Sequence, residues 1–464
     1  MRPARRDPDA KDQDAGTLLE PLQPGPSGQY HAVYQPPIDF LYEDRPRIPR
    51  RRRFWPFFAC AFLLFSTLYL LLPSVLRHKE VPARPTLGRD TWYRYKSAHC
   101  SDHANWTAVD GHPRDKYPYH AQTSFTLPVS AKELSFVADG SFQYGDFELS
   151  QTDAFSDKVA VEIQVSFQDT QTFDRSRVCR YNPEKDAWGI GIFTPSTWSP
   201  YNERSMRFRV HVHLPAAHAA GPLKLQELGT NLLLFSHRIH DLGESAYFER
   251  VRLRTSDRPL LADSLTGNNL YIESANGAIT GTFNASSRIR LGTSNAPIKV
   301  ATGLVSSDTN MPSMMHVETS DGRVENDVTL KSNTSDASKG TFHITTRTEN
   351  APLYLTFVDA PVDSSLIVNV HTSNSPGHVT LHPTYEGTYD ASSTLIFRPE
   401  VRWTAVEDPS GRGARRIVRL DEHARKGPRV SGGVSWTHGG ESKGRVTTET
   451  SNSPFRLDLC PLSG

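Results

Sequence analysis

Alternation of apolar and polar side chains dominates this 464-residue chain beyond residue 115. It is clearest at 159–167 and 206–214, and another run begins at Phe125. A period of two places successive side chains on opposite faces of a strand, so each segment predicts a half-buried β-strand. Only Leu223 to Leu234 has a period closer to that of a helix. The pattern therefore predicts an all-β fold for this part of the chain.

A short turn sequence recurs after residue 265, joining Asn or Asp to Gly or to a small residue and Pro. Its Asn and Asp positions are Asn276, Asn295, Asp321, Asn350, Asn374 and Asn452. Both residue types tolerate left-handed backbone and hydrogen-bond within their own turn. The intervals between them are 19, 26, 29, 24 and 78 residues, and the first four suit the coils of a β-solenoid. A β-sandwich with similar hairpin turns is the alternative, and both architectures stack short strands.

An uncharged segment of 23 residues, 54–76, is long enough at 1.5 Å per residue to cross about 30 Å of hydrocarbon. Six arginines lie within 45–53, whereas only Arg77 and Lys79 follow closely. The positive-inside rule then places the N-terminus in the cytosol. Nothing in the first 30 residues resembles a cleaved signal peptide. We therefore expect a single-pass, signal-anchored protein of the plasma membrane or of a secretory or endosomal compartment.

The N-terminal 53 residues are rich in proline and charge and poor in apolar clusters. Such a segment buries too little apolar surface to offset the entropy of ordering, so we predict a disordered cytosolic tail. Asp14, Leu18 and Leu19 have the spacing of an acidic dileucine sorting signal. An inert tail is the alternative.

Changes in composition along the chain predict its domain organisation. The segments are a tail (1–53), a transmembrane helix (54–76), a stem (77–115), a β-rich domain (116–250) and a β-repeat domain (251–464) with an insertion near 407–427. The insertion is strongly charged and falls within the longest interval between repeat turns. It predicts either an added segment or a long hairpin.

The part of the chain after the expected membrane span would face the lumen or the cell exterior, where N-glycosylation and disulfide formation occur. N-glycosylation sequons occur at Asn105, Asn284 and Asn333, a number that chance alone accounts for. Cys100, Cys179 and Cys460 share an oxidising compartment, where three cysteines allow one intramolecular disulfide in three pairings. The sequence predicts a disulfide and does not select the pair.

The recurring segments SNAPIKV, ENAPLYL, SNSPGHV and SNSPFRL resemble the adhesin-type repeat domain of bacteria and fungi. The overall layout is similar to that of fungal single-pass membrane proteins with a β-repeat ectodomain: a proline-rich tail, an arginine run, one span and a closing GRVTTETSNSPFRLDL. The resemblance covers 250–464 well and 40–250 in general plan only. It implies a stacked-strand fold of unknown biochemical role, without catalytic residues or cofactors. The basic insertion departs from the compact repeats.

Signature motifs of enzymes are missing from the sequence. The type II layout is common among Golgi glycosyltransferases, but no Asp-x-Asp pair occurs after residue 76, and no GxSxG, HExxH or P-loop occurs at all. Two carboxylates at a set distance are needed for polysaccharide cleavage, and the candidate pairs are Asp359 with Asp363 and Asp321 with Asp327. Structural turn residues are the alternative for both pairs.

Histidines supply the best metal candidate. His211 and His213 share one strand face, and His237 and His240 are placed to join them. Two arginines, Arg207 and Arg209, share that face and oppose cation binding, so a solvated basic face is the alternative. Such a face also suits acidic glycans or phospholipid headgroups.

We therefore expect a non-enzymatic, adhesin-like binding or structural module without cofactor or metal. A long stacked-strand surface suits a cell-wall polysaccharide or another protein, and a net charge of +1 gives no field for nucleic acid. A carbohydrate-active enzyme of the secretory pathway, either a glycosyltransferase or a polysaccharide hydrolase, is the alternative.

Overall fold

The computed structural model describes residues 100–110, 116–141, 143–195, 206–217, 220–307, 311–333, 339–394, 397–421, 427–436 and 439–460. All of them belong to one unit, Thr86–Gly464. The expected cytosolic tail, membrane span and sorting residues, and most of the expected stem, lie outside these ranges. Among the described residues, no helix has both the length and the apolar character to cross a bilayer.

Strands contain 62% of the described residues and helices 2%, which confirms the all-β prediction. The first twelve strands are β1 (Cys100–His103), β2 (Thr107–Val109), β3 (Tyr119–Pro128), β4 (Glu133–Asp139), β5 (Gln143–Phe155), β6 (Lys158–Phe167), β7 (Arg177–Tyr181), β8 (Ala187–Phe193), β9 (Met206–Ala216), β10 (Leu223–Asn231), β11 (Phe235–Asp241) and β12 (Ala246–Arg254). The others are β13 (Leu260–Glu273), β14 (Ile279–Gly292), β15 (Ile298–Ser306), β16 (Ser313–Glu318), β17 (Val324–Ser332), β18 (Thr341–Arg347), β19 (Leu353–Asp359), β20 (Ser365–Thr372), β21 (Gly377–Thr380), β22 (Gly387–Ser392), β23 (Glu400–Arg402), β24 (Ile417–Leu420), β25 (Arg429–Ser435), β26 (Arg445–Thr450) and β27 (Phe455–Asp458). A short helix, α1, spans Thr170–Asp174, and a 3₁₀ turn spans Gly440–Ser442.

Period-two patterns locate the strands correctly. The apolar positions of 159–167 and 206–214 are buried in β6 and β9, while their polar partners face outward. The helix-like period read at Leu223 to Leu234 was misleading, because Leu223–Asn231 forms strand β10. That strand pairs with β4 on one side and β12 on the other, and these backbone hydrogen bonds outweigh the local helical period.

The strands form two ladders that share β13 and β14. The first ladder runs β2-β3-β6-β9-β5-β11-β13-β14-β15-β17-β19-β21-β27-β23. The second runs β1-β7-β8-β4-β10-β12-β13-β14-β16-β18-β20-β26-β22-β25-β24. Pairing is parallel from β9 to β23 in the first and from β8 to β22 in the second. Each coil therefore stacks one strand on each ladder, as in a β-solenoid.

A single apolar core lies between the two ladders. Inward side chains of the first ladder, such as Ile298 and Leu353, and of the second, such as Val317 and Val368, belong to one buried cluster. Consequently the outward side chains of the two ladders form two separate solvent-facing surfaces. The predicted domain boundary after residue 250 falls within strand β12, which pairs with β13.

The long interval between repeat turns is an excursion from the solenoid. β26 pairs with β20, and β27 pairs with β21, so the last coil stacks directly on the coil that precedes the excursion. Strands β22 and β23 of the excursion pair with the other edges of β26 and β27. The predicted insertion at 407–427 contains β24, which forms an antiparallel pair with β25.

Candidate functional site

The predicted repeat turns stack into a ladder of side chains along one edge of the solenoid. Each amide nitrogen donates to the turn before it: Asn276 to Asp257 at 2.5 Å, Asn295 to Asn276 at 2.6 Å, Asn350 to Asp321 at 2.6 Å, Asn374 to Asn350 at 2.7 Å and Asn452 to Asn374 at 2.7 Å. The backbone N–H at each position bonds to a carbonyl of the preceding turn in the same way. We call this set the asparagine ladder, and it holds the coils in register.

The asparagine ladder is interrupted at Asp321. A carboxylate only accepts hydrogen bonds, so Asp321 accepts from Asn350 but has no hydrogen to give to Asn295. The turns therefore form two runs, one ending at Asn295 and one starting at Asp321.

A second repeated position lies two residues before each ladder residue, and sequence reasoning missed it. Its members are Thr255, Ser274, Thr293, Thr319, Thr348, Thr372 and Thr450. Thr293 donates to the Ala275 carbonyl at 3.1 Å, and Thr319 donates to the Ser294 carbonyl at 3.3 Å. The signal in the sequence was a Ser or Thr two residues before the Asn or Asp of each repeat turn.

An unbroken row of outward residues crosses the first ladder, and we call it the outer row. In strand order it consists of Ser124, Glu162, His211, Glu148, Arg238, Leu261, Thr280, Lys299, Glu325, Tyr354, His378, Arg456 and Glu400. At 4.7–4.9 Å between strands, thirteen positions span about 58 Å. The row thus offers a long surface to an extended partner.

A groove of about 500 Å³ lies on the outer row between β14 and β19. At its edge, the ring of Tyr354 is 37% exposed. The Arg323 guanidinium carbon lies 4.6 Å from the Tyr354 ring centroid, and Glu325 holds Arg323 through an oxygen at 2.5 Å. Lys299 lies 3.4 Å from the other oxygen of Glu325. Arg323, Glu325 and Lys299 therefore form a linked set of charged groups beside the ring. We call this the Tyr354 groove.

A second groove, of about 470 Å³, lies where β5, β6 and β9 meet, and we call it the histidine groove. The Ser150 hydroxyl lies 3.1 Å from His211 Nε2 and 3.2 Å from His213 Nδ1. Burial and the neighbouring His213 lower the pKa of His211. Burial opposes ionisation of Asp146, but hydrogen bonds from Ser236 and Arg207 outweigh it and lower the pKa of Asp146. Both grooves lie on the same outer row.

The four predicted histidines do not converge. His237 faces the core, where its side chain is bonded to Thr230 at 2.8 Å and to the Phe235 carbonyl at 3.2 Å. His240 instead pairs with Glu148 at 2.5 Å. Among the described residues, no group of three or more His, Cys, Asp or Glu side chains is placed to hold a metal ion.

The structure gives a location for each predicted carboxylate, and Asp359 is exposed at the end of β19. Asp321 is a ladder residue at a turn, whereas Asp327 lies on β17 facing solvent. Asp363 has a left-handed φ of 60° and accepts bonds from Lys443 at 2.7 Å and Arg412 at 3.0 Å. These two cations lower the pKa of Asp363 and hold it as a structural anion.

The structure selects one cysteine pairing among the three that the sequence allows. Cys100 and Cys179 form the disulfide, which joins β1 to β7, and Cys460 is a buried free thiol. Of the sequons, Asn105 and Asn333 are exposed, whereas Asn284 is half-buried within β14. Use of these asparagines for glycosylation stays a prediction.

No protein-family model matches the chain, and no curated protein matches it. Among solved structures, a putative cell adhesion protein from Clostridium sporogenes is 9% identical, covers 73% of this chain and 99% of its own, and has a TM-score of 0.15. Two putative adhesins, from Parabacteroides merdae and Bacteroides fragilis, are 9% and 6% identical, cover 58% and 72% of this chain and 91% and 96% of their own, and have TM-scores of 0.28. Scores this low do not establish a shared fold or function.

Proposed function

We propose that this chain is a membrane-anchored, non-enzymatic binding module whose outer row holds an extended polysaccharide. The observation that carries the proposal is the unbroken outer row, with the partly exposed ring of Tyr354 beside a groove. Anchoring rests on the uncharged segment 54–76 and the arginines before it. A protein partner is the alternative occupant of the row.

The Tyr354 groove has the chemistry that sugars require. An aromatic ring stacks on the apolar face of a sugar, while nearby charged and amide groups bond to its hydroxyls. Arg323 lies beside the ring, and ion pairs link it to Glu325 and Lys299. These polar groups are available to the hydroxyls of a sugar.

The carboxyl groups of this surface are better suited to binding a polysaccharide than to cleaving it. Glycoside hydrolysis needs one carboxylic acid with a raised pKa beside a second carboxylate. Glu148 and Glu162 flank His211 on neighbouring strands, but a hydrogen bond from His240 lowers the pKa of Glu148. The pKa values of Asp146 and Asp363 are also lowered by their hydrogen-bond partners. Glu148, Asp146 and Asp363 are therefore anions at neutral pH and do not supply a general acid.

Partition with insoluble polysaccharides tests this function. The full-length chain in detergent micelles is mixed with cellulose, chitin or β-glucan, and protein in the pellet and soluble sugar in the supernatant are both measured. We expect pelleting without sugar release. Sugar release would show a carbohydrate-active enzyme instead, and failure to pellet with every polysaccharide would favour a protein partner.

A further inference from the structure

Five arginines cluster on the outer surface of the second ladder, and we call them the arginine patch. They are Arg250, Arg252 and Arg254 on β12 and Arg288 and Arg290 on β14. Strand β13 lies between them and pairs with both. The patch faces away from the outer row, because the shared core separates the two surfaces.

The strand register gives the patch a regular geometry. Arg252, Tyr271 and Arg290 form one row across the three strands, and Arg250, Asn269 and Arg288 form the next. Rows lie about 6.6 Å apart along the strands, and the arginines within a row lie about 9.6 Å apart, from the standard strand dimensions. Each central side chain is thus flanked by two guanidinium groups.

Carboxylates neutralise only part of this charge. Glu227 pairs with Arg250 at 3.1 Å and also with Arg252. Among the described residues, Arg254, Arg288 and Arg290 form no ion pair with a carboxylate. Arg288 instead donates to the Tyr271 hydroxyl at 3.4 Å. The acidic neighbours are Glu227, Glu249, Glu273 and Glu318, so the five arginines still outnumber the carboxylates.

We propose that the arginine patch binds an anionic polysaccharide that carries carboxylate or sulfate groups. Guanidinium groups match both anions with paired N–H donors, and the acidic groups of such a polymer recur at intervals along its length. Tyr271 lies between two arginines, where its ring can stack on a sugar between two acidic groups. This proposal concerns a different surface and a different ligand from the Tyr354 groove, and each can fail alone.

A glycine beside the patch offers a way to change its charge without altering its backbone. Gly292 follows Arg290 by two residues and lies between Glu273 on β13 and Glu318 on β16. A Cβ atom added at Gly292 meets no other atom within 4 Å. Gly292→Glu therefore adds a negative charge to open space, and Gly292→Gln is its neutral control of similar size.

The test is binding of the full-length chain in detergent to immobilised heparin (sulfate) and polygalacturonate (carboxylate) over a range of salt concentrations. We expect binding to at least one, weakening as salt rises. Arg288→Gln/Arg290→Gln should bind about tenfold more weakly, from the loss of two charge-assisted contacts. Gly292→Glu should also weaken binding, whereas Gly292→Gln should bind like the wild type. Melting temperatures close to that of the wild type show that the variants are folded.

The control pair is Arg419→Gln/Arg429→Gln, which removes two exposed arginines of the excursion that already pair with Glu441 and Asp390. Equal loss in this pair and in Arg288→Gln/Arg290→Gln would reduce the effect to net charge and overturn the proposal. Unchanged binding by Arg288→Gln/Arg290→Gln overturns it as well. So does equal affinity for duplex DNA, because the patch would then not distinguish a polysaccharide.

Discussion

The side-chain amide of Asn452 donates a hydrogen bond of 2.7 Å to the side-chain carbonyl of Asn374, although 78 residues separate them. Asn374 makes the same bond to Asn350, which is only 24 residues away. The register of the coils therefore does not depend on the length of chain between turns. The last coil stacks on the solenoid through the same side-chain hydrogen bond that joins the coils before it.

Removal of the final bond of the asparagine ladder is expected to destabilise the last coil. Asn452→Ala leaves Asn374 without its donor, and a typical hydrogen bond of this kind contributes about 1 kcal/mol. Urea unfolding should show this loss, while Asn369→Ala, an exposed asparagine of β20 outside the ladder, should change little. Equal effects of the two substitutions would contradict the role of the ladder.

Repair of the break at Asp321 is expected to stabilise the protein. Asp321→Asn supplies the missing donor to Asn295 and keeps the acceptor for Asn350. We expect a gain of about 0.5–1 kcal/mol in the free energy of unfolding. A variant that is less stable than the wild type would show that the two runs do not meet at this turn.

Local patterns in the sequence predicted strands and turns, but not which of them touch. The buried faces of β6 and β9 and the turn asparagines followed from period and residue type, because both depend on neighbours in the chain. The pairing of Cys100 with Cys179 and the outer row depend on strand register across tens of residues. No spacing within a single strand contains that information.

His237 is expected to make stability depend on pH between about 4 and 6.5. Its imidazole is buried, and burial lowers its pKa to about 4, whereas an unfolded histidine titrates near 6.5. The unfolded chain therefore gains a proton first as pH falls, and stability drops by about 1.4 kcal/mol per pH unit across this window. Above pH 6.5 this loss is absent.

His237→Gln keeps a hydrogen-bonding side chain but does not titrate. Urea unfolding at pH 7 and pH 5 should show a smaller difference in the variant than in the wild type. The same pH dependence in both proteins would contradict a buried, neutral His237.

Lys443 is expected to hold the excursion against the solenoid. Its amine lies 2.7 Å from Asp363 and also contacts Glu386, whose side chain is 4% exposed. Lys443→Met removes this cation from the buried Glu386 carboxylate, which costs about 3 kcal/mol. Adding Glu386→Gln should recover part of the loss, because the amide oxygen still accepts from the Trp436 N–H. A double variant no more stable than Lys443→Met would contradict this.

The central claim is that the outer row binds a polysaccharide through Tyr354. The most direct measurement is the partition constant on insoluble polysaccharide for the wild type, Tyr354→Ala and Tyr354→Phe, with Tyr271→Ala as the matched control on the other surface. We predict about tenfold weaker partition for Tyr354→Ala, from the lost stacking and buried area, and near wild-type partition for the other two. Equal partition of Tyr354→Ala and the wild type, or equal loss in both alanine variants, would contradict the account.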